Sequence, residues 1–226
     1  MKIKELTLAS GAISEMKSFY CELLGFPEIP VVGETDGLSF QAGHTRVNFV
    51  PGPNDAAYHF ASNIRPDQLP DAQLWLNSKG VPILDGKDAR DGVVEFPAWK
   101  ARSIYCNDIP DAGSGNIVEF IARAAIAPAR NAPRFSANAV LGVSEIGIGV
   151  DDVMLFSEWI SGTHGVSGFT RQENSETFTA LGNDEGLLLL VPFGRKWFMS
   201  EIEAQRYPVS ILIENDLGQE RRILLP

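Results

Sequence analysis

Cysteine is scarce in this chain: Cys21 and Cys106 are the only two among 226 residues, enough for one bridge at most. A disulfide framework is excluded, and both thiols are expected to be reduced. Basic residues are outnumbered too, 19 Lys and Arg against 29 Asp and Glu, for a formal net charge of -10. A surface so poor in positive charge argues against nucleic acid or an anionic membrane as partner, because either needs lysines and arginines to meet phosphates. Long apolar runs are missing as well. The longest, Leu187 to Val191, is far too short to cross a bilayer. Met1-Lys2-Ile3-Lys4 starts like a secretory leader, but Glu5 and the polar stretch Ser10 to Glu15 break any apolar segment, so a cytoplasmic protein is expected. With 44% hydrophobic residues and no low-complexity tract, the chain can fill one large core or two small ones.

What is present is a recurring order of elements. Ile3 to Leu8 alternates like a half-buried strand, and Ile13, Met16, Tyr20, Leu23 and Leu24 follow at helical spacing with Phe19 beside them, until Gly25 supplies a stop. Strand patterns come next around 28–32, 37–41 and 46–50. The order restarts at Ala57 to Ala61, with a helix through Leu69, Ala72, Trp75 and Leu76 closed by Gly80, then strands at 81–83, 93–96, 102–106 and 116–122. Residues 124–138 are rich in Ala and Pro without a period and read as a linker. A third start follows: Val143 to Ile148 resembles the first strand, Asp151-Asp152 offers a helix cap, and Leu155, Phe156, Trp159 and Ile160 keep helical spacing. Glu145 lies 140 residues after Glu5 and Gly165 lies 140 after Gly25, and offsets that stay constant over a whole unit indicate duplication. Val209 to Ile213 opens like a fourth unit.

Within the strand 116–122, Ile117, Glu119 and Ile121 share one face and Val118 and Phe120 the other. Glu119 thus stands on a largely apolar face, where a carboxylate is costly unless a cation or hydrogen-bond donor compensates it. An edge strand that lets the carboxylate reach water is the ordinary alternative.

Repeated β-α-β-β-β units, with Phe19-Tyr20 and Leu23-Leu24-Gly25 ending the first helix and Gly115-Asn116-Ile117-Val118-Glu119 in the last strand of the second unit, resemble the vicinal oxygen chelate superfamily. That group includes glyoxalase, bleomycin-resistance proteins, fosfomycin-resistance enzymes and extradiol dioxygenases. The resemblance covers residues 1–123 well and 140–192 more weakly. It implies an α+β fold of curved mixed sheets with helices on the outer face: a complete two-unit domain over 1–123, a linker over 124–138, and a degenerate domain over 139–226. It also implies a divalent metal, Mn, Fe, Ni or Zn, held by Glu5, His59 and Glu119, with the detachable Glu119 carboxylate as the catalytic group. Imidazole and carboxylate donors suit such ions, which polarise substrate oxygens. Glu5 stands where many members have His, and Asn48, a poor ligand, is assigned to the substrate.

Trp99, Arg102 and Tyr105 are further candidates for substrate contact, with Arg102 suited to a carboxylate or phosphonate. The duller roles, Arg102 on the surface and Trp99 in the core, remain open. Arg195-Lys196-Trp197-Phe198 reads as a loop packing its aromatics. The third unit has Leu189 where Asn48 and Glu119 stand, so it is expected to serve as scaffold, lid or dimer surface without a metal. The functional expectation is a metal-dependent glyoxalase-like lyase or transferase acting on a small oxygen-rich or electrophilic molecule. The alternatives are a binding protein of the bleomycin-resistance type that needs no metal, or a ring-cleaving dioxygenase-like protein. A homodimer is compatible with each.

Overall fold

The computed structural model describes residues 1–31, 36–109, 115–129 and 134–225. Val32, part of the turn 108–116 and part of the segment 124–138 therefore lie outside the described residues. Among the described residues there are thirteen strands, arranged in two mixed sheets, and three α-helices. The first unit contributes β1 (Lys2–Ser10), α1 (Ile13–Lys17), β2 (Leu38–Ala42) and β3 (Thr45–Pro51). The second contributes β4 (His59–Ile64), α2 (Leu69–Ser78), β5 (Ala89–Arg90), β6 (Val93–Phe96), β7 (Ala101–Asn107) and β8 (Ile117–Arg123). The third holds β9 (Gly142–Val150), α3 (Val153–His164), β10 (Thr179–Asn183) and β11 (Gly186–Pro192), and the chain closes with the hairpin β12 (Val209–Glu214) and β13 (Glu220–Leu225).

Local sequence sets most of these elements. Gly25, Gly80 and Gly165 follow the three helices with φ of 82°, 72° and 66°, the left-handed conformation that ends a helix and that glycine adopts at least cost. Asp152 caps α3 by accepting a hydrogen bond from the Leu155 amide at 2.9 Å. Two expectations differ. The first helix is α-helical only over Ile13–Lys17 and continues as wider π turns over Ser18–Leu23, which bury Phe19 and Tyr20 together with Met16. Residues 81–83 are no strand, although Val81 is buried, and around 28–32 the described residues make only an isolated bridge, Glu28 to Phe40.

The units pair differently from the expectation. The five-stranded sheet runs β13-β12-β1-β3-β2 and joins the first unit to the C-terminal hairpin; the eight-stranded sheet runs β10-β11-β9-β4-β8-β7-β6-β5 and joins the second unit to the third. Residues 1–123 thus do not share one sheet, and the segment 124–138 connects two strands of the same sheet. The join is antiparallel, β4 against β9 and β1 against β12. One apolar core, with Leu6, Leu8 and Phe49 from one sheet and Phe60, Phe120 and Ile146 from the other, lies between the sheets with the buried faces of the helices. The opposite faces of the two sheets therefore look away from each other. No helix among the described residues is long and apolar enough to cross a membrane.

Candidate functional site

Alternation along four neighbouring strands puts one row of side chains on the face of the large sheet turned away from the core. Tyr105 on β7 pairs with Glu119 on β8, Glu119 with Ala61 on β4, and Ala61 with Glu145 on β9. Ala61, the small residue of the row, is buried and packs with Ala101 and Ile121. His59 stands two residues from Ala61 on the same face of β4, and its Nε2 lies 3.0 Å from Oε2 of Glu119. His59, Glu119, Glu145 and Tyr105 are 5%, 2%, 2% and 2% exposed, so their polar atoms must satisfy one another or a ligand.

These four groups form the floor of a cavity of about 480 Å³. Its walls carry five aromatic side chains, Phe96, Trp99, Phe178, Trp197 and Phe198, with Phe96 against Phe198 at 5.8 Å and Trp99 against Phe178 at 6.2 Å. Trp197 lies against the His59 ring at a centroid distance of 5.8 Å, and Phe198 meets Tyr105 edge-on at 5.7 Å. The approach of Trp197 depends on Gly147, since a Cβ there would lie 2.6 Å from two atoms of the indole ring. At the mouth, Arg195 stacks on Phe178 at 5.1 Å, Lys196 pairs with Glu201, and Trp99 donates from Nε1 to Gln172 at 3.2 Å.

Next to these groups lies a buried ion pair. Arg123, the residue on β8 two beyond Ile121, is fully buried, and its guanidinium pairs with Glu145. Its Nε donates to Asn63 Oδ1 at 3.2 Å, and one terminal nitrogen lies 3.6 Å from Asp184, which Arg171 grips with two bonds of 2.6 and 2.7 Å. Burial, aided by the charge of Glu119 and opposed by Arg123, pushes the Glu145 carboxyl up to about 7. Burial and the same two carboxylates raise the Tyr105 hydroxyl well above its ordinary value, so Tyr105 is a neutral hydrogen-bonding group.

The expected site residues divide accordingly. His59 and Glu119 meet, and Trp99 and Tyr105 line the cavity beside them. Glu5 does not join them: it lies on the other sheet, on the face away from the shared core, where Arg222 holds it at 2.9 Å. Asn48 is on that sheet as well, bound to Ser39 and Thr7 at 2.7 and 2.9 Å, so it is not placed for a ligand in the cavity. Arg102 is exposed and reaches toward the Pro66 carbonyl, because three residues along a strand separate it from Tyr105 and an odd offset reverses the face. The third unit, expected to be scaffold, lid or dimer surface, supplies Glu145 to the floor and much of the aromatic wall. Glu145 carried a readable signal in its offset of 140 residues from Glu5; Arg123 followed directly from the alternation of Ile117, Glu119 and Ile121.

The donor set does not fit a resident divalent ion. With Glu5 gone, the remaining donors are His59, Glu119 and Glu145, and Glu145 is already bound to Arg123. On the far side β11 presents Leu187 and Leu189, which coordinate nothing. Each of the carboxylates Glu119, Glu145 and Asp184 faces a nitrogen base of the chain itself, and among the described residues no group of three His, Cys, Asp or Glu side chains is arranged to hold a metal.

No protein-family model matches the sequence, and no curated protein matches it significantly. Among solved structures, a putative dioxygenase from Bacillus subtilis subsp. subtilis str. 168 is similar over 97% of this chain and 72% of its own, with a TM-score of 0.63 at 15% sequence identity. A putative glyoxalase family protein from Bacillus anthracis matches 54% of this chain and 95% of its own at 23% identity and a TM-score of 0.42. A lactoylglutathione lyase from Agrobacterium tumefaciens matches 53% and 92% at 13% identity and a TM-score of 0.40.

Proposed function

From the premise that this chain has the fold of the vicinal oxygen chelate superfamily, we propose that its eight-stranded sheet binds one small molecule and acts on it by proton transfer without a resident metal. The observation that carries this reading is the convergence of His59, Glu119, Tyr105 and Glu145, from four adjacent strands, at the floor of an aromatic-walled cavity. A cavity of this size, apolar on its walls with a few buried polar groups at one end, is the usual form of a small-molecule site. An apolar body suits the aromatic walls, and a hydroxyl or carbonyl end suits the polar floor. His59 and Glu119, in hydrogen-bond contact, are the pair to take and return a proton, with Glu145, poised near neutral pH, as a second carboxyl. Lyase or isomerase chemistry on an oxygen-rich or electrophilic molecule is within reach of such a floor.

The metal-dependent lyase or transferase reading makes the opposite demand on the same residues, and one experiment separates the two. The protein is dialysed against chelator, its metal content is measured, and it is titrated with the aromatic anion 8-anilinonaphthalene-1-sulfonate while the probe's own fluorescence is followed. The expected result is one probe per chain, with affinity unchanged by chelator and weakened about tenfold or more by Phe198→Ala or Trp99→Leu. Retention of one Mn, Fe, Ni or Zn per chain, lost in both His59→Ala and Glu119→Ala, would restore the metal reading. Probe binding indifferent to the cavity substitutions would remove the pocket from consideration.

A further inference from the structure

The mouth of the cavity carries a cation that the chain itself leaves unmatched. We propose that the ligand of this cavity is an organic acid, an apolar or aromatic body with one carboxylate. Arg195 selects it by holding that carboxylate at the mouth, while the opposite, uncharged end meets the floor. The inference rests on the reading of the cavity as a small-molecule site and adds the class of molecule and the direction in which it lies.

Lys196 and Arg195 both line the cavity, and their surroundings differ. Lys196 is paired with Glu201, and the charge of Glu203 on the same loop acts on it too. Arg195, one residue earlier, pairs with no carboxylate among the described residues, although the chain has 29 acids against 19 bases. Its guanidinium lies over the Phe178 ring at 5.1 Å and gives a hydrogen bond to the Thr177 carbonyl. A guanidinium carries its N–H donors in a planar fork, and most of this fork finds no acceptor among the described residues. Partial burial pulls the proton affinity of Arg195 below the ordinary arginine value, and no neighbouring charge offsets it. The group remains charged at neutral pH, so it has given up water without gaining a counter-charge. The loop that carries it is fixed by its backbone: the Gly194 amide donates to the Ala204 carbonyl at 2.9 Å, the Ala204 amide to the Arg195 carbonyl at 2.8 Å, and the Trp197 amide to the Ile202 carbonyl at 2.8 Å.

The floor decides the direction. Its nitrogen bases are already engaged, His59 with Glu119 at 3.0 Å and Arg123 with Glu145. A ligand carboxylate at that end would stand against Glu119 and Glu145, both 2% exposed, where little solvent screens the repulsion. The neutral Tyr105 hydroxyl can still meet an uncharged oxygen. At the mouth the balance reverses. Arg195 supplies a fork suited to two hydrogen bonds from one carboxylate, and its stacking on Phe178 limits the freedom it would lose on binding. The aromatic walls between the two ends favour an apolar body. An amine in place of the carboxylate would meet Arg195 with like charge, so the same residue that attracts an acid rejects a cation.

The test uses two probes, 6-hydroxy-2-naphthoic acid and 2-naphthol, which share a ring system and a hydroxyl and differ in the carboxylate. Each is titrated by calorimetry at neutral pH and low salt into the whole chain and into Arg195→Gln, Arg195→Lys and Phe198→Ala. The parent is expected to bind the acid about fivefold or more tighter than 2-naphthol. Arg195→Gln should erase that preference, weakening the acid about fivefold or more and changing 2-naphthol less than about twofold. Arg195→Lys keeps the charge without the fork and should restore part of the preference. Added salt should weaken the acid alone. The neutral probe separates recognition of an anion from a disturbance of the Phe178 wall, so an equal loss of both probes in Arg195→Gln overturns the proposal. Equal affinity of the parent for the two probes overturns it as well, as does a preference that survives in Arg195→Gln. Those outcomes leave the small-molecule reading standing provided that Phe198→Ala weakens 2-naphthol. Binding of neither probe, or binding indifferent to Phe198→Ala, would remove the cavity reading and this proposal with it.

Discussion

The Arg123–Glu145 pair yields a prediction whose size follows from burial. With exposures of 0% and 2%, neither group can recover hydration when its partner is removed. Asp184 cannot replace Glu145, since it lies 3.6 Å from the guanidinium and is already gripped by Arg171 through two hydrogen bonds. Removing one member of a buried pair costs about 3–5 kcal/mol, most of it the penalty of the charge left behind. Arg123→Met and Glu145→Gln should each lose that much at pH 8, where Glu145, pushed up to about 7, is largely ionised. The double variant leaves no orphaned charge and should lose clearly less than the two together, a coupling of about 2–3 kcal/mol. The coupling should also depend on pH. At pH 5.5 Glu145 is largely protonated in the folded chain, so Arg123→Met then strands no carboxylate and the coupling shrinks. Urea unfolding of the four proteins at both pH values measures the cycle. Additivity within about 0.5 kcal/mol at pH 8 would mean that the pair is not coupled, and the view of Arg123 as the counter-charge of Glu145 would be wrong.

Gly147→Ala brings a Cβ within 2.6 Å of the Trp197 ring, so it should cost about 1–3 kcal/mol and weaken aromatic probe binding by displacing that wall; unfolding and fluorescence titrations check both. Asp108, buried and bound by Tyr20 and Asn116, has its carboxyl raised from 3.8 to about 6, chiefly by burial. A carboxyl with a raised value favours the protonated folded state. Its contribution is therefore greatest below pH 3.8 and is lost as pH rises through about 6, in total about 3 kcal/mol, and Asp108→Asn should remove this slope from a stability-against-pH curve. Arg102→Ala should leave probe affinity and stability within about 0.5 kcal/mol of the parent, because its exposed side chain faces away from the cavity. Glu5→Gln should likewise leave the cavity's ligand affinity unchanged, as measured by the same titration, because its carboxylate belongs to Arg222 on the other sheet.

The recurring order of elements was legible because it is written in local features: apolar spacing, glycines after helices, and matching residues 140 positions apart. The pairing of units was not, because an alternating strand records which of its faces is buried and nothing about which strand lies beside it. Glu5 and Glu145 illustrate the difference. In sequence they are equivalents, and either could have stood across from the strand that carries His59; only the antiparallel join of β4 to β9 decides that Glu145 does. That one choice moves Glu5 and Asn48 to a remote face, brings in the third unit's aromatics, and changes the candidate ligand set. Arg102 is a different kind of miss, since its odd spacing from Tyr105 already placed it on the opposite face. Arg123 lies between the two cases: alternation put it on the face of Glu119, but its meaning depends on Glu145, which joins it only through the fold. The site's chemistry is therefore a property of the sheet between units two and three, and a substitution that weakened the β4 to β9 join would dismantle the floor without touching any of its four polar side chains.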